Sequence, residues 1–263
     1  MLRLIFCFSL LVSTAFAMPA PNNCDEHFFL KKMPNTATTD KTYQICFTKF
    51  ATLNSSVTKT PLWSAEHLTQ DRIKSAKTLI RKNTFHPEPL LPVQDRASLT
   101  DYLSNGYDRG HMSPDADMPD ALSMHESFSL ANMVPQHPCN NEIIWKNIEI
   151  SVREYVLSVG EVYVLTGPIF GDDKTIGPNK VKVPTKIFKA VYDPTKNTVI
   201  VLTTLNSNVT NYETITLEQL KILTGIEAFP MVREPSLMVL PSLHKMNGIC
   251  KKSIGIYIKI GSG

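Results

Sequence analysis

The chain has 263 residues, 43% of them hydrophobic and 19% charged, with a formal charge of +3. That composition supports a substantial buried core and excludes a disordered or fibrous chain, and the charge is too small for the molecule as a whole to act as a polycation. The first 17 residues carry Arg3, an uncharged apolar stretch from Leu4, and then Ala15-Phe16-Ala17, the small-x-small pattern of a signal-peptidase site. The pattern predicts an exported protein, periplasmic or extracellular, whose mature chain begins at Met18. The apolar run is broken at Ser13-Thr14 and falls short of the about 20 residues that a membrane span needs.

Removal of the leader leaves Cys24, Cys46, Cys139 and Cys250, an even number in a chain bound for an oxidising compartment. Disulfides are expected, with all three pairings open. The four cysteines contain no CxxC pair, which argues against a zinc site.

Strands are predicted over residues 43–53, 62–67, 162–166, 185–192 and 198–205, the last two joined by the turn composition Asp193-Pro194-Thr195-Lys196-Asn197. The Pro-rich stretch over residues 87–92 reads as a loop. A helix is predicted from Asn141, where Ile144, Ile148, Val152 and Val156, with Tyr155 and Val159, form an apolar stripe. Asn141, Trp145, Glu149 and Arg153, spaced by four, form a second stripe beside it. Thr216 and Gln219 read as a capping box opening a helix over residues 217–223, which Gly225 ends. Grouped strands with few helices between them predict an α+β fold, a mainly antiparallel sheet core flanked by helices. No repeat or linker divides residues 18–263, so they are expected to form one domain.

Basic residues cluster between residues 72 and 82, between 174 and 189, and in the last twenty residues. These runs are compatible both with a phosphate-attracting surface and with ordinary solvated faces.

Functional groups concentrate in Tyr107-Asp108-Arg109-Gly110-His111-Met112-Ser113-Pro114, a loop or short strand by its glycine and proline content. Asp, Arg and His within four residues supply an orienting carboxylate, a phosphate clamp and a proton acceptor. Asp108-Arg109-Gly110-His111, the later Asn132-Met133-Val134-Pro135-Gln136, and Asn141 followed by Glu149 and Arg153 occur here in one order. This set resembles the DNA/RNA non-specific endonuclease family, a branch of the ββα-metal or His-Me finger nucleases. The resemblance extends to Pro61-Leu62-Trp63, Thr166-Gly167-Pro168-Ile169-Phe170, Val183-Pro184-Thr185 and Leu223-Thr224-Gly225. Residues 18–41 match no motif.

The resemblance implies a ββα-metal active site and a Mg²⁺-dependent endonuclease, with Mn²⁺ as a substitute, that hydrolyses DNA and RNA to 5′-phosphate ends. It implies His111 as general base and Asn141 as the one direct protein ligand of the metal. Eight helical residues rise about 12 Å, so Glu149 is expected to reach the ion only through water. Arg109 and Arg153 would clamp phosphate, and Asp108 would orient a neighbour or close the turn. A further upstream arginine is expected from Arg72, Arg81 or Arg96, with Arg81 favoured. Contacts to phosphate rather than base edges imply little sequence selectivity. Monomer and homodimer are both compatible. A non-catalytic nucleic-acid-binding or uptake protein on the same fold is the alternative reading, and a serine hydrolase lacks its Gly-x-Ser-x-Gly elbow.

Overall fold

The computed structural model describes residues 24–243 and Cys250. The leader expected over residues 1–17, the start at Met18 and most of the basic C-terminal run lie outside the described residues.

Strand β1 (Asn35–Thr36) precedes β2 (Thr42–Cys46), β3 (Ala51–Ser55) and β4 (Pro61–Thr69), which runs into helix α1 (Gln70–Ala76). The stretch expected as one strand over residues 43–53 is thus a hairpin. Phe47 N–H donates to Phe50 O at 2.9 Å, and Glu126 accepts from both the amide and the hydroxyl of Thr48 at 2.8 Å. A carboxylate from elsewhere in the chain therefore holds a reversal that has no glycine or proline to announce it.

Strand β5 (Asp108–His111), helix α2 (Ala121–Ser127) and β6 (Met133–Gln136) follow, and a π-helical turn (Asn140–Trp145) leads into α3 (Lys146–Val159). Next come β7 (Glu161–Ile169), β8 (Thr175–Ile176), β9 (Val181–Lys182), β10 (Lys186–Asp193), β11 (Thr198–Leu205) and β12 (Glu213–Ile215). Helix α4 (Leu217–Thr224), β13 (Ile226–Glu227) and β14 (Ser236–Leu237) complete the elements. The capping box of Thr216 and Gln219 opens α4, and Gly225 closes it in the left-handed conformation at φ 73°.

An eight-stranded sheet runs β12-β11-β10-β7-β4-β3-β2, antiparallel throughout, with β14 joining β11 in parallel. On one face, Val162, Val164, Ile187, Val191, Ile200 and Leu202 pack against Ile148, Val152, Tyr155 and Val156 of α3. On the other, Trp63, Leu165, Phe188 and Val201 pack beneath Phe28, Leu220 and Phe229. Both faces are covered, so the central strands read as continuous apolar runs rather than alternating ones. Each fully buried Ile, Val or Phe contributes about 2 kcal/mol. The architecture is the α+β fold with a mainly antiparallel sheet that the sequence predicts.

The lysine run over residues 174–189 does not form one charged face. Lys189 is buried on β10, donating to Thr166 Oγ1 at 2.6 Å with its ammonium over the Trp145 ring, while Lys182 pairs with Asp173 and Lys186 with Glu213. Of the three possible disulfide pairings the structure forms Cys24–Cys46 and Cys139–Cys250. Among the described residues no helix is long and apolar enough to cross a membrane.

Candidate active site

Strands β5 and β6 pair as an antiparallel ribbon, Asp108 opposite Gln136 and His111 opposite Met133. The two sequence motifs are therefore the two strands of one hairpin-like unit, and the helix carrying Asn141 and Glu149 follows directly, giving a ββα arrangement. Gly110 is required here because a Cβ at that position would collide with the side chain of Gln136. Gln136 crosses that space to donate to Asn140 Oδ1 at 2.6 Å, and Asn140 in turn donates to Thr204 Oγ1 and Leu205 O. Together these bonds fix the start of the π turn against β11. Asn132 is buried and ties Ser64, Ser113 and Ser127 together through four hydrogen bonds, which makes it a structural centre.

The π turn changes the geometry expected for a regular helix. An α-helix would place positions 141 and 149 about 80° apart. A π turn inserts one extra residue into the winding, so positions eight apart face like positions seven apart, nearly in line. Asn141 and Glu149 consequently line the same cavity, while Trp145, expected on the same polar stripe, is buried in the core.

That cavity, of about 590 Å³, is lined by Arg81, Asp108, Arg109, His111, Asn141, Glu149 and Arg153, so the site residues expected from the resemblance meet there, with Arg81 as the upstream arginine. Asn141 Nδ2 donates to Asp108 Oδ2 at 2.9 Å. Arg153 pairs with the buried Asp117 at 3.0 Å and Arg81 with the buried Asp115 at 2.7 Å. Of the other two upstream arginines, Arg72 is buried against Glu66 at 2.7 Å and donates to the carbonyls of Asp117, Lys49 and His67. Arg96 binds the carbonyls of Glu88 and Leu91. Neither lines the cavity, whereas Arg81 does.

His111 is 7% exposed, and its Nε2 is buried without a hydrogen-bond partner among the described residues. Burial, helped by the positive charges of Arg81 and Arg109, lowers its pKa to about 3, so the imidazole is neutral at physiological pH. Burial pushes the Glu149 carboxyl up to about 7 against the pull of Arg153 and Lys189. The donors fit a hard divalent cation. With Nδ2 committed to Asp108, the amide of Asn141 presents its oxygen, and a cation nearby would relieve the cost of ionising Glu149. Among the described residues no cluster of three or more His, Cys, Asp or Glu side chains could hold a metal ion.

Sequence reading missed the partners that hold these groups. Asp115 and Asp117 follow His111 closely, but nothing in their spacing distinguishes an arginine partner from a surface acid. Phe85, Tyr102 and Tyr107 also line the cavity, and aromatics scattered over short irregular segments give no periodic signal.

The family model for DNA/RNA non-specific endonucleases matches residues 31–234. The chain is 33% identical over 158 residues to the mitochondrial nuclease EXOG of Danio rerio, covering 54% of this chain and 46% of the relative. It is 35% identical over 145 residues to nuclease C1 of Cunninghamella echinulata var. echinulata, covering 50% and 58%. It thus spans about half the length of the curated relatives it matches. A crystal structure of EndoG in complex with EndoGI superposes with a TM-score of 0.62 at 23% identity, covering 72% of this chain and 85% of that one, and so shares the fold. The expectation of an exported, periplasmic or extracellular protein is corrected by these comparisons. Relatives from Danio rerio, Homo sapiens, Caenorhabditis elegans and Schizosaccharomyces pombe are named as mitochondrial nucleases. Small-x-small residues after an apolar stretch do not by themselves distinguish one targeting segment from another. Nucleases of the ββα-metal type generally use a divalent metal. By a match that covers most of its length, the chain belongs to the DNA/RNA non-specific endonuclease family.

Proposed function

We propose that this chain is a Mg²⁺-dependent endonuclease that hydrolyses phosphodiester bonds of both DNA and RNA and leaves 5′-phosphate ends, with Mn²⁺ able to replace Mg²⁺. We take residues 18–263 as one nuclease domain, since the main sheet draws strands from both halves of the chain. The observation that carries the reading is the convergence of a neutral, unpartnered His111 Nε2, the Asn141 amide, Glu149 and three arginines on one cavity.

In this reading His111 Nε2 accepts a proton from the attacking water. Burial is the main cause of the low imidazole pKa, and an anionic phosphate beside Arg81 and Arg109 would offset the smaller part that their positive charges add, so the base strengthens when substrate is in place. Asn141 Oδ1 would hold the Mg²⁺, and Glu149 would reach the ion through water. The bound ion supplies neutralisation of charge on the phosphate oxygens and Lewis acidity at phosphorus. Asp108 fixes which atom Asn141 presents. Arg109, Arg81 and Arg153 bind and orient the phosphate, the last two held in place by Asp115 and Asp117. All of these groups address phosphate and metal, which accounts for indifference to base sequence and to the 2′-OH.

A gel assay with circular DNA and with RNA tests the reading. Both substrates are expected to be cut in Mg²⁺ or Mn²⁺ and left intact in EDTA. Cleavage that persists in EDTA, or no cleavage of either substrate, contradicts it.

A further inference from the structure

The hydrogen bonds of the site account for Asn141, Arg81 and Arg153 but not for the imidazole of His111, whose Nε2 has no partner among the described residues. Aromatic rings surround it instead. Phe128 meets the imidazole edge to face, with centroids 4.9 Å apart at 84°, and Phe85 meets it at 5.7 Å and 49°. The two phenyl rings pack edge to face at 4.8 Å. On the ring of Phe85 lies the guanidinium of Arg109, its central carbon 4.1 Å from the centroid.

Phe128 is fully buried and belongs to a hydrophobic cluster with Ile45, Phe47 and Met118, which is reason enough for its presence. Phe85 is different. It is half-buried, lines the cavity and sits in a loop outside the regular elements. The backbone of the next residue is nonetheless fixed through both its N–H and its carbonyl. His86 N–H donates to Phe128 O at 3.3 Å, and Leu130 N–H donates to His86 O at 2.8 Å. The loop is therefore locked to the segment that carries Phe128, and the ring has a defined place.

We propose that Phe85 is a positioning residue that sets His111 and Arg109 at once, its ring packing against the imidazole while its face carries the guanidinium. This rests on the nuclease reading given above. An aromatic face attracts a guanidinium electrostatically, and two χ angles hold it at small entropic cost. An aliphatic side chain of similar size would fill the volume and hold neither group in orientation. The contact also explains how Arg109, which among the described residues does not share the carboxylate pairing of Arg81 and Arg153, is aimed into the cavity.

The test compares Phe85→Leu and Phe85→Tyr with the wild type on a defined duplex oligonucleotide in saturating Mg²⁺, measuring kcat and KM separately together with the folded fraction. Phe85→Leu is expected to lower kcat by about tenfold or more, since small displacements of a reacting group are costly, and to raise KM several-fold while remaining folded. Phe85→Tyr, which keeps the aromatic face, is expected to restore most of both. Repeating Phe85→Leu in an Arg109→Ala background separates the two tasks, because residues in contact give non-additive effects. There the KM effect of Phe85→Leu should vanish and its kcat effect persist. If Phe85→Leu retains wild-type kcat and KM, if its losses match a reduced folded fraction, or if the KM effects add in full, the positioning role is overturned while the nuclease reading stands. A wild-type protein that cuts nothing overturns both.

Discussion

The side-chain amide of Asn141 donates to the Asp108 carboxylate at 2.9 Å, joining the first turn after the ribbon to the ribbon's own first residue. That bond decides which amide atom faces the cavity, so in the proposed mechanism Asp108 would govern metal binding without touching the metal. Removing such a partner typically costs about 10- to 100-fold in metal affinity. Asp108→Ala is expected to raise the Mg²⁺ concentration for half-maximal activity by about that factor, whereas Asp108→Asn, which keeps an acceptor oxygen, should raise it less. Metal titrations of the two variants check this, and an unchanged midpoint in Asp108→Ala contradicts it.

In the proposed mechanism Glu149 would make metal binding depend on pH. Burial holds its carboxyl near 7, above the ordinary carboxylate range, so below that pH an incoming cation must displace a proton. The Mg²⁺ concentration for half-maximal activity should rise about tenfold per unit as pH falls below 7, and Glu149→Gln should flatten the dependence. A midpoint that is constant from pH 7 to pH 5.5 in the wild type counts against it.

Stability should respond to acid through a site far from the cavity. His27 is buried, its Nε2 bonded to Phe47 O at 3.1 Å, and burial lowers its pKa to about 4. The unfolded chain, near 6.5, binds the proton more readily, so stability is full above pH 6.5 and is lost as pH falls from 6.5 towards 4. The shift corresponds to about 3 kcal/mol. Urea denaturation at pH 7 and pH 4.5 should show a loss of that order, and His27→Gln should remove a large part of the difference. An identical pH dependence in the variant contradicts the assignment.

The Cys139–Cys250 disulfide closes a separation of 111 residues and sits immediately before Asn140 and Asn141. By chain entropy such a closure contributes about 5 kcal/mol, against about 3 kcal/mol for Cys24–Cys46, which spans 22. Cys250→Ser should lower both the unfolding midpoint and the Mg²⁺-dependent rate. Peptide mapping of the wild type that finds these cysteines as free thiols would refute the pairing.

How much of this was legible in the sequence follows from which interactions are local. Gly110 and Gln136 belong together because Gln136 crosses the space that a Cβ at 110 would fill, and both fall in the ordered motifs that also mark His111. The helix over Asn141 to Val159 was visible in its apolar stripe, yet its first turn was not. A π turn alters phase without altering composition, so Trp145 appeared to share a face with Asn141 when it lies in the core. Lys189, read as one of a run of basic residues, is buried because Thr166 and Trp145 receive it from other strands and helices. Phe85, Asp115 and Asp117 stayed invisible for the same reason, since their partners are distant in sequence.

The proposed mechanism depends most on His111 as the base. The decisive measurement is the rate of plasmid DNA and RNA cleavage by purified His111→Ala in saturating Mg²⁺, beside the wild type, with circular dichroism confirming that both are folded. With His111 as the base, a loss of about 10²- to 10⁴-fold or more is expected on both substrates with the fold intact. Cleavage by the folded variant at a rate near that of the wild type would contradict it.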